Sequence, residues 1–287
     1  MSGTTWRRVV GWLAWGLGCG LAGCQLPTTG SSVAPGDPLP ELCAAAEQGD
    51  AVALFLVGLA YETGDGVAAD PAQAALYYAR AAEHGHAAAM TNLGLLHYSG
   101  RGASKSATAA RSWMERAAAS GFATAQSNLG VLCFYGHGGP QDRGQAITLW
   151  TAAAEQGDAQ AQTLLGSAYY EGAGVAVDRN EAARWYAMAA PQGSVTAQHR
   201  LGLWLLRNDA DPAPAADRAA EGAEWLRLAA ERGHAGAQHD YALCLLQGRG
   251  VAVDRAVAQH WFERAANQGL AAARERHAAL VAAAPQR

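Results

Sequence analysis

The sequence of 287 residues predicts an all-α fold, a right-handed α-solenoid of about six tandem helix–turn–helix repeats. The composition favours helices joined by turns, because 69 residues are alanine and 34 are glycine. Two series of glycines also recur with a common period, and a series of aromatic residues keeps step with them. Several features that recur together at one period of about 20–50 residues are typical of repeat proteins.

The repeats are predicted over residues 50–269, with a period of 36 residues and a four-residue insertion in the fifth repeat. Their boundaries are 50–85, 86–121, 122–157, 158–193, 194–233 and 234–269. One glycine of each repeat follows a short apolar run, and an aromatic residue lies in the second half; in the sixth repeat Ala242 replaces the glycine. The structural residues that this register defines are Gly58, Gly94, Gly130, Gly166, Gly202, Trp113, Trp150, Trp185, Trp225 and Trp261.

The N-terminal 23 residues are predicted to be a secretory signal. Two arginines precede an apolar run over residues 9–21, which is too short to span a bilayer of about 30 Å. The run ends in Leu-Ala-Gly-Cys, which resembles the lipobox of bacterial lipoproteins. The resemblance implies cleavage before Cys24 and attachment of lipid to its thiol, and a plain signal peptide cleaved elsewhere is the alternative. Residues 24–40 are rich in Pro, Gly and Ser and are predicted to form a flexible tether.

Each repeat is predicted to contain two helices, and the fourth repeat shows the pattern most fully. Residues 159–171 are predicted to form its first helix, helix A, because apolar side chains recur there at helical spacing. Gly172 and Gly174 follow in a turn, where glycine adopts a positive φ without steric strain. Asp178 then caps the second helix, helix B, with Glu181 three residues later as in a capping box.

The same repeat carries a family resemblance. Residues 161–193 contain Ala-x-x-x-Leu-Gly-x-x-Tyr, then Gly-x-Gly-Val-x-x-Asp, then Ala-x-x-Trp-Tyr-x-x-Ala-Ala-x-x-Gly. This pattern resembles the Sel-1-like repeat, a bacterial relative of the tetratricopeptide repeat. The resemblance implies a solenoid closed at its ends, with an N-terminal cap helix at 41–49 and a C-terminal cap helix and tail at 270–287. An acidic, proline-containing loop at 208–214 replaces the turn glycines of the fifth repeat, and we expect it to protrude.

The sequence offers little catalytic or metal-binding chemistry. Processing leaves Cys43, Cys133 and Cys244, an odd number that does not make a disulfide framework, and the last two lie in apolar runs and are expected to be buried. His199 and His239 share a register in successive repeats, but no carboxylate partner is evident and no His-x-x-x-His or Cys-x-x-Cys pair is present. Nucleophile-elbow, phosphate-loop and Ser-x-x-Lys motifs are also absent. We therefore expect no catalytic residue, no metal and no cofactor.

Helix A is the expected location of a binding surface. In superhelices related to these repeats, helix A lines the concave groove, so the resemblance implies a partner-binding groove on this helix. Small polar groups interleaved with aromatic residues suit recognition of an extended peptide or a partner helix. The candidate groove residues are Thr91, Asn92, Tyr98, Ser127, Asn128, Phe134, Thr163, Tyr170, His199, Arg200, His239 and Asp240.

These features predict a noncatalytic scaffold or adaptor for protein or peptide partners, lipid-anchored in the bacterial cell envelope and facing the periplasm. A repeat array offers a long surface but few places where distant residues converge for chemistry. The net charge of −4 argues against nucleic-acid binding. Membrane contact is expected only through the lipid, at the outer rather than the inner membrane because Gln25 follows the cysteine. The alternatives are a protein that acts on β-lactams or peptidoglycan, as assigned to some relatives, and a sensor that releases its partner on a signal.

Overall fold

The computed structural model describes residues 39–207 and 215–282, and within these ranges the chain forms fourteen α-helices and no β-strand. The chain divides into two compact units, one ending at Gln156 and the other beginning at Gly157. Within each unit every helix packs against the next along the chain, as tandem helix pairs require. The signal segment, Cys24 and the loop at 208–214 lie outside the described residues.

The described residues of the first unit, from Leu39 onward, form one single helix and three helix pairs. The pairs are α2–α3, α4–α5 and α6–α7, and the first helices of two neighbouring repeats, α4 and α6, also contact each other. The helices are α1 (Leu39–Glu47), α2 (Ala51–Thr63), α3 (Pro71–Glu83), α4 (Ala87–Ser99), α5 (Ala107–Ala119), α6 (Ala123–Tyr135) and α7 (Arg143–Glu155).

The described part of the second unit forms three further pairs, α8–α9, α10–α11 and α12–α13, followed by one single helix. Helix α8 has the bounds predicted from the sequence of the fourth repeat. The helices are α8 (Ala159–Glu171), α9 (Arg179–Ala189), α10 (Val195–Arg207), α11 (Ala215–Glu231), α12 (Ala235–Gln247), α13 (Arg255–Asn267) and α14 (Ala271–Ala282). No helix in the two described ranges is both long enough and apolar enough to cross a membrane.

Side chains at the helix N-termini fix where the helices begin. The carboxylate of Asp178 accepts hydrogen bonds from the backbone N–H groups of Asn180 and Glu181 at 3.0 and 2.9 Å, which confirms the predicted cap of α9. The expected return bond of a capping box is replaced by a different contact. The Glu181 carboxylate instead accepts from the Arg184 guanidinium at 3.2 Å, one turn further along the helix.

The second glycine of a repeat's turn lets neighbouring repeats approach closely. Gly102 has φ of 67° and lies against the first turn of α3 in the preceding repeat. A Cβ atom at this position would lie 1.9 Å from the carbonyl oxygen of Pro71, so only glycine fits. Gly138 and Gly250 make the same approach to the carbonyl groups of Ala107 and Ala219.

The repeated glycine of helix A faces a large side chain on helix B of the same pair. A Cβ atom on Gly130 would lie 2.4 Å from Trp150 Nε1, and one on Gly166 would lie 2.6 Å from the Tyr186 ring. The absence of a side chain therefore allows the two helices to pack around a buried aromatic residue.

The predicted aromatic series combines two adjacent positions of helix B, which corrects the single register inferred from the sequence. Trp150 is fully buried in the position that faces the glycine, where the other repeats place Tyr78, Met114, Tyr186, Leu226 and Phe262. The remaining tryptophans of the series lie one position earlier, and most are only partly buried because that position points away from the glycine. They are Trp113, Trp185, Trp225 and Trp261.

Buried glutamines link the helices α10 and α12 to the helix B before each of them, a feature that was not predicted from the sequence. Gln198 and Gln238 donate hydrogen bonds at 3.0 and 3.1 Å to the backbone oxygens of Ala190 and Ala230. These carbonyl groups lie at the C-terminal ends of α9 and α11, where a helix leaves its last oxygens without partners inside the helix. The glutamines therefore satisfy helix ends that the packing of repeats buries.

The cysteines have two different environments. Cys133 and Cys244 are buried free thiols, as predicted. Burial raises the pKa of Cys133 and raises that of Cys244 to about 11, so both are neutral and unreactive at physiological pH. Cys43 is disulfide-bonded, which was not predicted from the sequence.

Candidate partner-binding site

Five candidate groove residues are buried, so their assignment as surface contacts is wrong. Phe134 packs on Trp150 of the same helix pair with ring centres 5.2 Å apart, and the indole N–H of Trp150 donates to the backbone oxygen of Ser127. The Thr91 hydroxyl donates to Ala87 O of its own helix at 2.9 Å. The five buried residues are Thr91, Asn92, Ser127, Asn128 and Phe134.

Two other candidates make contacts between repeats. The Tyr98 hydroxyl lies 2.5 Å from His137 Nδ1, and the two rings stack with their centres 5.6 Å apart. Burial raises the pKa of Tyr98, so its hydroxyl stays protonated at neutral pH. The Thr163 hydroxyl lies 2.8 Å from that of Ser194, which precedes α10. Both residues therefore connect neighbouring repeats.

The structure brings His199, His239 and Asp240 together on α10 and α12. His199 Nε2 lies 2.7 Å from Asp240 Oδ2, and His239 Nδ1 lies 2.9 Å from Asp240 Oδ1. The two histidines thus share a carboxylate partner, which corrects the expectation from the sequence that they had none. The carboxylate of Asp240 thus connects the two histidines of successive repeats.

The charge state of Asp240 fixes the protons of its two neighbours. Although burial alone would raise the pKa of Asp240, hydrogen bonds and charge interactions with His199 and His239 lower it well below the usual range. The ionised carboxylate only accepts hydrogen bonds, so His199 carries a proton on Nε2 and His239 carries one on Nδ1. The His234 ring lies against His199, with centres 4.5 Å apart. No group of three or more side chains suited to hold a metal ion occurs among the described residues.

A cavity of about 410 Å³ lies in the second unit, between α8, α9 and α10, and we call it the arginine cavity. Buried Ala182, Ala183 and Tyr186 lie at its base, while exposed arginines stand at its edge. The lining residues are Tyr170, Arg179, Asn180, Ala182, Ala183, Tyr186, Arg200, Leu203, Trp204 and Arg207. The predicted candidates Tyr170 and Arg200 are thus brought together in one site.

Two guanidinium groups lie close to one aromatic ring of the arginine cavity. The guanidinium carbon of Arg200 lies 4.7 Å from the centre of the Tyr170 ring, and that of Arg179 lies 5.9 Å from it. The face of an aromatic ring attracts cations. These contacts therefore orient the guanidinium groups of both arginines. The hydroxyl of Tyr186 below them donates to Ser167 Oγ at 3.1 Å, and burial raises the pKa of Tyr186 to about 12.

Most residues of this cavity were not predicted from the sequence. The fifth repeat nevertheless differs from the others at Trp204, and this difference could have indicated a site. Trp204 and Arg207 lie one and two turns after Arg200, on the same face of α10. The position of Trp204 is held elsewhere by a small or aliphatic residue that is buried in every case. These residues are Ala60, Leu96, Leu132, Ala168 and Cys244.

Comparison with known families gives one assignment. The Sel1 repeat family model matches the chain six times, over residues 51–86, 87–122, 123–158, 159–194, 195–234 and 235–270. Each match begins one residue after the boundary predicted from the sequence. None of the curated proteins compared with the chain is a significant match.

Solved structures agree with this assignment. The crystal structure of c5321, a protective antigen of uropathogenic Escherichia coli strains that displays an SLR fold, matches with a TM-score of 0.73 and 34% sequence identity. This match covers 83% of the present chain and 50% of c5321, so the chain spans about half the length of that protein. A Sel1 repeat protein from Oxalobacter formigenes matches with a TM-score of 0.70 and 29% identity, over 83% of this chain and 68% of that one.

The family matches and the structural matches confirm the predicted fold class, an all-α solenoid of tandem repeats. The handedness of the solenoid stays a prediction. Sel1 repeat proteins are generally protein-interaction scaffolds and are typically noncatalytic. The chain belongs to the Sel1 repeat family.

Proposed function

We propose that the protein is a noncatalytic interaction scaffold that is lipid-anchored through Cys24 in the bacterial cell envelope, faces the periplasm and binds protein or peptide partners. The observation that supports partner binding most is the exposure of aromatic and charged side chains around the arginine cavity. Tyr170 is 36% exposed there, beside the half-buried Arg200. Packed helices hold such side chains in place before binding, so that little conformational entropy is lost when a partner binds.

Crosslinking in intact cells tests the scaffold function. The full chain with a C-terminal affinity tag is crosslinked, purified under denaturing conditions and examined by mass spectrometry for co-purified proteins. We expect a small set of proteins enriched over an untagged strain, and we expect Tyr170→Ala to lose most of that enrichment.

Met188→Ala is the matched control, because Met188 is 49% exposed on α9 but does not line the cavity. This variant is expected to retain the partners. If the wild-type chain enriches no protein over the untagged strain, the scaffold function is wrong. Turnover of a chromogenic β-lactam by the purified protein would contradict its noncatalytic character.

The anchor is proposed from the lipobox-like Leu-Ala-Gly-Cys sequence at residues 21–24. Mass spectrometry of the mature N-terminal peptide is expected to show an acylated Cys24, and Cys24→Ser is expected to release the protein from the membrane fraction. An unacylated Cys24, or a Cys24 thiol joined to Cys43 in a disulfide, would rule out the anchor. Neither result would affect the test for partners.

A further inference from the structure

We propose that the arginine cavity binds an acidic peptide segment of a partner protein, one that carries Asp or Glu next to an aromatic side chain. The inference rests on the proposed scaffold function and deepens it, because it names the chemistry that the partner must present. Three properties of the cavity lead to this ligand: its unpaired cations, its apolar walls and the absence of a free helix N-terminus for a phosphate.

Three arginines, Arg179, Arg200 and Arg207, give the cavity its positive charge. Within residues 39–207 and 215–282, none of Arg179, Arg200 and Arg207 forms an ion pair with a carboxylate. Arg179 and Arg200 both lie against the Tyr170 ring, so their guanidinium carbons are at most about 11 Å apart, within reach of one short acidic segment. A carboxylate of a partner that reaches either guanidinium group would accept paired N–H bonds from it.

The walls of the cavity suit an aromatic or aliphatic side chain beside the acid. Trp204 and Leu203 form one wall, and Ala182, Ala183 and Tyr186 form the base. The volume of about 410 Å³ lies within the range of about 300–1,000 Å³ that is usual for ligand pockets, and it is too large for a single ion. A short peptide segment would fill it with one apolar side chain and place its carboxylates at the arginine edge.

A phosphate group is a poorer fit than a carboxylate. Phosphates commonly bind at helix N-termini, where backbone N–H groups are free. The N-terminus of α9 borders the cavity at Arg179, but the Asp178 carboxylate already accepts from its Asn180 and Glu181 N–H groups. Recognition therefore depends on the guanidinium groups and the aromatic walls.

Selection from a random decapeptide library displayed on phage tests the proposal. The library is selected on the purified chain, and retained peptides are then measured by fluorescence anisotropy against the wild type, Arg200→Gln, Arg207→Gln and Arg184→Gln. Arg184→Gln is the matched control, because its side chain is 78% exposed on α9, outside the cavity, and the substitution removes the same charge. Circular dichroism establishes that each variant is folded.

The proposal predicts that retained peptides are enriched in Asp or Glu adjacent to an aromatic residue. It also predicts that Arg200→Gln and Arg207→Gln each weaken their binding at least tenfold, while Arg184→Gln changes it less than twofold. Arg200→Lys, which keeps the charge but loses the planar fork, is expected to weaken binding by an intermediate factor. A library without acidic enrichment, or equal binding to all variants, would overturn the proposal.

The two proposals fail in different ways. If the wild-type chain captures partners in cells but the library shows no acidic preference, the scaffold function stands and the cavity assignment is wrong. If acidic peptides bind the cavity but no partner is captured in cells, the cavity stands as a peptide site and the scaffold function is wrong.

Discussion

Replacing Gly130 by alanine tests how the helix pairs pack. Gly130 lies in the middle of α6 and faces Trp150 of α7, and a Cβ atom there would lie 2.4 Å from Trp150 Nε1. Trp150 is fully buried, and its indole N–H donates a hydrogen bond of 3.0 Å to the Ser127 backbone oxygen. The ring cannot move away without disturbing that bond or the neighbouring core.

Three effects determine how far Gly130→Ala lowers the free energy of unfolding. Overpacking a buried site destabilises a protein by about 1–3 kcal/mol, and a lost hydrogen bond to a buried group by about 1–3 kcal/mol. Alanine favours a helix over glycine by about 1 kcal/mol, which opposes both effects. These terms together give about 1–5 kcal/mol, so we expect Gly130→Ala to lower the free energy of unfolding by about 3 kcal/mol.

Urea unfolding followed by far-ultraviolet circular dichroism measures this loss. With a urea dependence of about 1–3 kcal/mol per M, the midpoint is expected to fall by about 1 M. Gly144→Ala is the control, because Gly144 is exposed in the first turn of α7 and its added Cβ atom meets nothing closer than 3.4 Å. The packing argument would be refuted if the two variants unfolded at the same urea concentration.

Two further predictions follow from buried titratable groups. Because contact with His199 and His239 lowers the pKa of Asp240, its ionised form stabilises the fold above the ordinary aspartate pKa of about 3.9, and this contribution is lost as the pH falls below that value. Asp240→Asn is expected to lower the free energy of unfolding by about 1–2 kcal/mol at pH 7 and by less at pH 3. Urea titrations at both pH values measure the two losses. Equal losses at pH 7 and pH 3 would contradict the ion-pair argument. Cys133 and Cys244 are expected to react with Ellman's reagent at pH 8 only after denaturation, since burial raises the pKa of both thiols; rapid reaction of the folded protein would show that they are accessible.

The sequence predicted the fold well because the repeat is encoded by local features. The bounds of α8 and the Asp178 cap of α9 depend only on residues within one repeat, so their spacing is sufficient to place them. The aromatic register was predicted less well, because Trp113 and Trp150 were treated as equivalent on residue type. Their spacing of 37 residues, rather than 36, places them at adjacent positions of helix B.

The candidate site was harder to predict because it depends on contacts between repeats. The sequence pattern assigns Ser127 and Asn128 to helix A, but it does not show that these two polar residues are buried. Tyr170 and Arg200 were both identified, yet their contact arises only when α10 packs beside α8. Helical periodicity identifies an apolar face, and it carries no information about which polar residues from two repeats meet.

Photo-crosslinking in living cells tests most directly whether the arginine cavity is where a partner binds. The photoreactive residue p-benzoylphenylalanine is placed at Asn180, which lines the cavity, or at Met188, which is exposed on the same helix outside it. We predict a crosslinked partner from the Asn180 position that disappears when Arg200→Gln is added, and none from Met188. Crosslinks of equal yield from both positions, or no crosslink from Asn180, would contradict the assignment of the arginine cavity as the partner-binding site.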